Sequence, residues 1–283
     1  MRTIKRQHPA VSAPIADLIT YRALPTNSVE YIDPFLFLNH HGPQVYRPHN
    51  HGLPFGPHPH RGFETVTFIL HGDILHADSN GYKNVVGAGG IQWMTAGAGL
   101  IHAEVSSDQF KQNGGPLEIL QLWINLPARL KMTEPHYVGR QAHEIPLVTP
   151  VEGVTIHAVS GNWAGTDGAV QPLTDVQLAW LDFKAGAKIT LPIAAARTIF
   201  FYTVAGQLRA NGTDTQARQL VDFNHDGDAL TVEALADSVL LLGHALPLKE
   251  PVVSRGPFVM NTEAEIDQAY TDYQLGKFGT WRG

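Results

Sequence analysis

Pro57-His58-Pro59-His60-Arg61-Gly62-Phe63-Glu64-Thr65-Val66-Thr67-Phe68-Ile69-Leu70-His71-Gly72-Asp73 is the stretch from which the rest of the chain is best read. Residues 64–70 (ETVTFIL) are rich in β-branched and aromatic side chains and run into a His71-Gly72-Asp73 turn, which predicts a β-strand. Two histidines stand just ahead of it. In an extended chain residues two apart point to the same face, so His58 and His60 can approach one ion together. His102-Ala103-Glu104 repeats that logic with a carboxylate. Two such pairs on neighbouring strands make a four-ligand site of His58, His60, His102 and Glu104. Glu64 shares the parity of His58 and His60, so it competes for the role of carboxylate.

The surroundings fit a β protein. Short apolar runs at 91–95, 117–126, 176–183, 189–193, 198–204 and 238–242 predict further strands, and 27 Gly with 19 Pro supply frequent turns. Residues 130–151, with Pro135, Pro146 and Pro150, read as a linker between two halves. The halves echo each other loosely: 64–72 (ETVTFILHG) resembles 198–206 (TIFFYTVAG) at a spacing of 134 residues. One helix is expected near the C-terminus. Thr262 and Glu265 form a capping box, Ile266, Ala269, Tyr270 and Tyr273 share a face, and Gly276 ends it. That helix is expected to pack on the second sheet.

Histidine is concentrated where the site is expected, with nine of 15 between His40 and His102. The pairs His40/His41 and His49/His51 are expected in loops near the pocket mouth, not as ligands. Neutral nitrogen with anionic oxygen donors suits Fe(II), Mn, Ni, Co, Cu or Zn. On a metal that prefers six donors, such a set leaves positions open for catalysis or sensing. The absence of cysteine excludes disulfides and thiolate sites. A net charge of −6 without a Lys/Arg run argues against direct nucleic-acid binding. No apolar run approaches the ~18 residues a membrane span needs, and MRTIKRQHPAVSAP has no apolar signal core, so a cytoplasmic location is expected. Asp222-x-Asn224-x-Asp226-Gly227-x5-Glu233 matches the calcium-loop spacing. A strand at 229–232 and an apolar Leu230 favour a turn between strands there, and Asn211-Gly212 also reads as a turn.

His-x-His-x3-Glu followed by Gly99-x2-His102 resembles the two-part signature of the cupin superfamily, in which that Glu is often a ligand. The chain further resembles the pirin family, nearly end to end. The residues carrying this are Asp33-Pro34-Phe35, Pro57 to Thr65, His102-Ala103-Glu104, Leu120 to Pro127 (LQLWINLP) and Gly256 to Thr262 (GPFVMNT). The resemblance implies an all-β fold of two cupin (double-stranded β-helix, or jelly-roll) domains with a C-terminal helix. We place them at 1–134, which binds metal, and 135–283, which lacks ligands because Pro192 and Ala194 stand where His58 and His60 would. It implies one metal, iron first among the candidates, on His58, His60, His102 and Glu104, with Glu64 left as a supporting residue. It also implies a dioxygenase acting on flavonols such as quercetin with O2, with Glu104 as the catalytic base. The alternative function is a metal-dependent co-regulator that contacts transcription factors or metabolic enzymes.

Overall fold

The computed structural model describes residues 1–282. Strands dominate, and the two α-helices among the described residues are Asp108–Asn113 and Glu263–Gln274. No described helix is long and apolar enough to cross a membrane. Two sheet pairs repeat one plan. In the first pair, a seven-stranded sheet runs in the order His136–Arg140, Ile91–Thr95, Phe63–His71, Gly115–Asn125, Phe35–Tyr46, Thr20–Leu24 and Val11–Ser12. Its four-stranded companion runs Phe55–His60, Leu100–Val105, Asp73–Asp78 and Lys83–Gly87. The second pair is again seven and four strands. Its four-stranded sheet is Lys188–Pro192, Ala229–Ala234, Gln207–Ala210 and Thr213–Gln216. The expected all-β, two-cupin architecture with a C-terminal helix is therefore present.

The chain exchanges its ends between two compact units. One holds 12–21, 36–142 and 248 onward, the other 1–11, 22–35 and 143–247. A single cut at 134/135 does not describe this division. Nor is 130–151 a bare linker. His136–Arg140 pairs with Ile91–Thr95, and Leu147–Val151 pairs with Val154–Ser160. The prolines mislead because Pro135 and Pro146 lie just outside strands, while Pro150 sits on an edge strand, where a missing N–H costs little. Asn211-Gly212 links two paired strands with both residues at positive φ, as a tight hairpin requires. The Asp222–Glu233 segment joins strands Gln219–Phe223 and Ala229–Ala234, and Asp226 accepts a hydrogen bond from the Thr3 amide, so the calcium-loop spelling is a turn.

The C-terminal helix carries the expected reciprocal cap between Thr262 and Glu265. It packs within the first unit, not on the second sheet. Ile266 and Ala269 are buried with Phe258, Met260 and Phe278. From its last turn, Asp272 receives Arg61 at 2.8 Å. Arg61 and Gly62 form the corner between strands Phe55–His60 and Phe63–His71. Gly62 has φ +89°, and a Cβ there would lie 2.0 Å from the Val259 carbonyl oxygen, so only glycine fits. Lys131 locks the same corner. Its buried Nζ donates to the Gly62 carbonyl (2.9 Å), the Asn125 amide oxygen (2.6 Å) and the Val259 carbonyl (3.0 Å).

That corner also settles Glu64. Parity counts only along one continuous strand, and the corner moves the chain from the four-stranded to the seven-stranded sheet. Thr67 reaches Glu104, whereas Glu64, three residues earlier, lies on the opposite face of the same strand. There Glu64 accepts the Thr95 hydroxyl at 2.7 Å, and the Trp93 indole N–H is the other donor beside its carboxyl. Burial pushes its pKa up to about 7 from an ordinary 4.5.

Two stability predictions follow from this corner. Lys131→Met leaves three acceptors unpaired and should lower stability by about 2–4 kcal/mol, read as a lower urea midpoint at unchanged slope. For Glu64 the folded pKa lies above the unfolded one, so stability present below pH 4.5 is lost as pH rises towards 7. Glu64→Gln should therefore gain about 1–3 kcal/mol at pH 8, and the gain should shrink as pH falls towards 4.5. A pH-independent difference between the two urea midpoints would remove the ionisation argument.

Candidate metal centre

Register builds the site. Strand Leu100–Val105 lies between Phe55–His60 and Asp73–Asp78, with His102 directly opposite His58 on one side and Asp78 on the other. Leu100 opposes His60, and Glu104 opposes His76. Directly opposed residues project on the same face, and residues two apart share it. His58, His60, His102, Glu104, His76 and Asp78 thus line a single face. The ring centroids are 4.3 Å apart for His58 and His102, 4.8 Å for His58 and His60, and 5.0 Å for His60 and His102. One nitrogen from each of these three rings lies within 4.8 Å of the other two, the spacing of a three-histidine metal-binding site.

Each ring's state suits ligation. His58 donates Nδ1–H to the Gly56 carbonyl at 2.7 Å, and His60 donates Nδ1–H to the Pro257 carbonyl at 3.2 Å. Both leave the Nε2 lone pair for an ion. Burial, reinforced by the neighbouring histidines, lowers His60 to about 3 and holds His102 well below the ordinary histidine range. Neutral imidazoles are what a divalent metal needs. His102 is fully buried with neither ring nitrogen hydrogen-bonded. Orphaning a buried polar group costs about 1–3 kcal/mol, a cost that coordination removes. The donor set therefore fits a divalent metal.

Glu104 borders the cluster, with Oε2 3.9 Å from His102 Nε2. Its carboxylate is held from three sides. Thr67 Oγ1 and Gln92 Nε2 donate to Oε1, and Gln121 Nε2 donates to Oε2 at 2.7 Å. Sequence reasoning passed over these three residues. Their signal was a polar residue inside a strand otherwise apolar enough to be buried, where it must have a partner. His76-Ala77-Asp78 was passed over as well. Trp123 stacks on Phe37 at 4.5 Å and meets the edge of His60 at 5.3 Å, so an aromatic wall flanks the histidines.

The remaining histidines divide. His49 and His51 are exposed between strands. His40 and His41 are not in loops. Both are buried on strand Phe35–Tyr46, His40 donating to Glu118 at 2.8 Å and His41 hydrogen-bonded to Thr20 at 2.8 Å. In the second unit Pro192 opposes Ala229 at the edge of the four-stranded sheet, and neither offers a donor. His225 is exposed, while His244 is buried and accepts Arg197 Nε at 2.7 Å. Burial, with the positive charge of Arg197 beside it, lowers His244 to about 3.

The chain matches the pirin family over residues 17–124 and the pirin C-terminal cupin domain over residues 178–279. A pirin-like protein of Caulobacter vibrioides is 38% identical over 261 residues, 91% of each chain. Human pirin is 37% identical over 280 residues, 92% of this chain and 90% of its own. A crystal structure of quercetin 2,3-dioxygenase from Acinetobacter baumannii has a TM-score of 0.92 at 32% identity and covers 99% of both chains. With both cupin halves matched and full-length relatives aligned over nine-tenths of their extent, the chain belongs to the pirin family.

Proposed function

We propose that this protein is an iron(II)-dependent dioxygenase that opens the central ring of flavonols such as quercetin with O2 and releases carbon monoxide. The observation that carries this reading is the three-histidine cluster, with His60 and His102 buried and a carboxylate 3.9 Å from one of its nitrogens. The likeness to the Acinetobacter baumannii quercetin 2,3-dioxygenase supports the choice of substrate. His58, His60 and His102 would hold the ion through Nε2, with Glu104 as the fourth ligand until it leaves the ion to act as base. When bound, iron supplies Lewis acidity and a one-electron centre.

The protein's own groups do the rest. Glu104 takes the proton of the flavonol 3-hydroxyl at Oε2, while Gln121, donating to the same oxygen, keeps the carboxylate aimed. Gln92 and Thr67 fix the other oxygen, so the base does not turn away into the barrel. The stacked Trp123 and Phe37 rings offer a flat apolar surface for a planar aromatic substrate. His58 is half-buried where His60 and His102 are buried, so the substrate enters from the His58 side.

Oxygen uptake by the iron(II)-reconstituted protein tests this reading. Uptake should require quercetin and vanish in His58→Ala. No uptake with iron demonstrably bound would sink the dioxygenase reading and turn the search to a metal-dependent protein-binding role. Glu104→Gln should lose turnover by about 10²- to 10⁴-fold, the usual contribution of a general base, with metal content largely kept. Unchanged turnover in that variant would remove Glu104 as the base.

A further inference from the structure

The three ligand histidines are not equally supported. His58 and His60 each hand their Nδ1–H to a backbone carbonyl, which fixes the tautomer with Nε2 bare. His102 Nε2 faces Glu104, so it is the metal-facing nitrogen, yet His102 Nδ1 is buried with no hydrogen-bond partner. A metal-bound histidine ordinarily donates its second N–H to an acceptor, which orients the ring and raises its basicity.

His76 stands beside it, 5.5 Å between ring centroids. His76 Nε2–H donates to Asp78 Oδ2 at 2.9 Å, and both side chains are buried. Asp78 is fixed in turn, since its Oδ1 accepts the Asn80 amide at 2.9 Å and the Tyr82 amide at 3.2 Å. Tyr137 stacks on the His76 ring at 3.9 Å and 14°, which sets its plane. With the proton on Nε2, His76 Nδ1 carries a lone pair, and this atom too is buried without a partner. One bare acceptor and one orphaned donor thus sit on adjacent rings.

We infer that His76, oriented by Asp78 and Tyr137, is a positioning residue that accepts Nδ1–H of His102 and so holds His102 in its metal-binding tautomer. The inference rests on reading the three histidines as a metal site, though not on the dioxygenase chemistry. That contact, which the structure leaves open at both Nδ1 atoms, would join the existing Asp78–His76 hydrogen bond to His102 in a relay ending at the ion. It does for His102 what the Gly56 and Pro257 carbonyls do for the other two ligands.

Zinc(II) affinity of the full chain, measured by chelator competition, tests it. His76→Phe keeps a flat ring against Tyr137 but offers no acceptor, and should bind zinc about 10- to 100-fold more weakly than wild type. His76→Asn places an oxygen near the former Nδ1 and should recover most of that loss. Zinc binding by His76→Phe equal to wild type would overturn the inference, as would a loss in His76→Asn as large as in His76→Phe. Wild type that binds no zinc would overturn the metal reading itself, and this inference with it. Should His76→Phe fail to fold, nitrogen-15 spectra of the zinc-loaded wild type decide. A proton on Nε2 of His76 and on Nδ1 of His102 is expected, and a proton on His76 Nδ1 overturns the proposal.

Discussion

Antiparallel pairing between strands Phe55–His60 and Leu100–Val105 sets His58 directly across from His102 and leaves His60 opposite Leu100. A slip of one residue would turn His102 and Glu104 to the other face of the sheet and scatter the donors. The pairing is held at its ends. The Arg61-Gly62 corner stops the first strand, and Lys131 ties that corner to Asn125 and to the Val259 carbonyl. The chemistry of the histidines thus depends on a buried ammonium that never touches them. The first strand also has to be irregular, because register shifts between His102 and Glu104 and brings Glu104 opposite Phe55. Such a shift is a common way to re-aim a side chain beside a functional site.

The two units apply one sheet plan to opposite interiors. In the second, the space between the sheets is filled by aliphatic and aromatic residues such as Ile156, Leu181, Phe201, Leu230 and Leu242. In the first, part of the equivalent space is given to Glu104, Gln92, Thr67, Gln121 and the histidines. A buried polar group costs stability unless it is partnered, and here nearly every polar atom finds another polar group. His102 leaves both of its ring nitrogens without a hydrogen bond, and that imbalance favours a cation there.

Much of this was legible in the residues. ETVTFIL, IQWMT and TIFFYTV became strands within a residue of their expected ends because each buries apolar side chains on a pleated surface. His58, His60, His102 and Glu104 could be grouped because i, i+2 spacing survives any strand pairing that aligns them. Three things were not legible, each for a long-range reason. The exchange of chain ends depends on contacts more than a hundred residues apart, such as those between 36–142 and the segment from 248 onward. Strand parity alone could not place Glu64, because parity cannot be carried across a corner. His40 and His41 look like loop residues until Glu118 and Thr20 are brought to them.

The Pro257 carbonyl that orients His60 lies 197 residues further along the chain. A ribosome has made every proposed ligand, and both sheets of the first cupin, well before it reaches that proline. During synthesis His60 is therefore present but unaimed, and the C-terminal helix that buries the corner beside it does not yet exist. The orienting acceptor of His60 arrives only when the final segment folds back onto a unit begun much earlier. A ribosome-stalled or C-terminally clipped chain would therefore hold the proposed ligands on their strands with His60 free to turn.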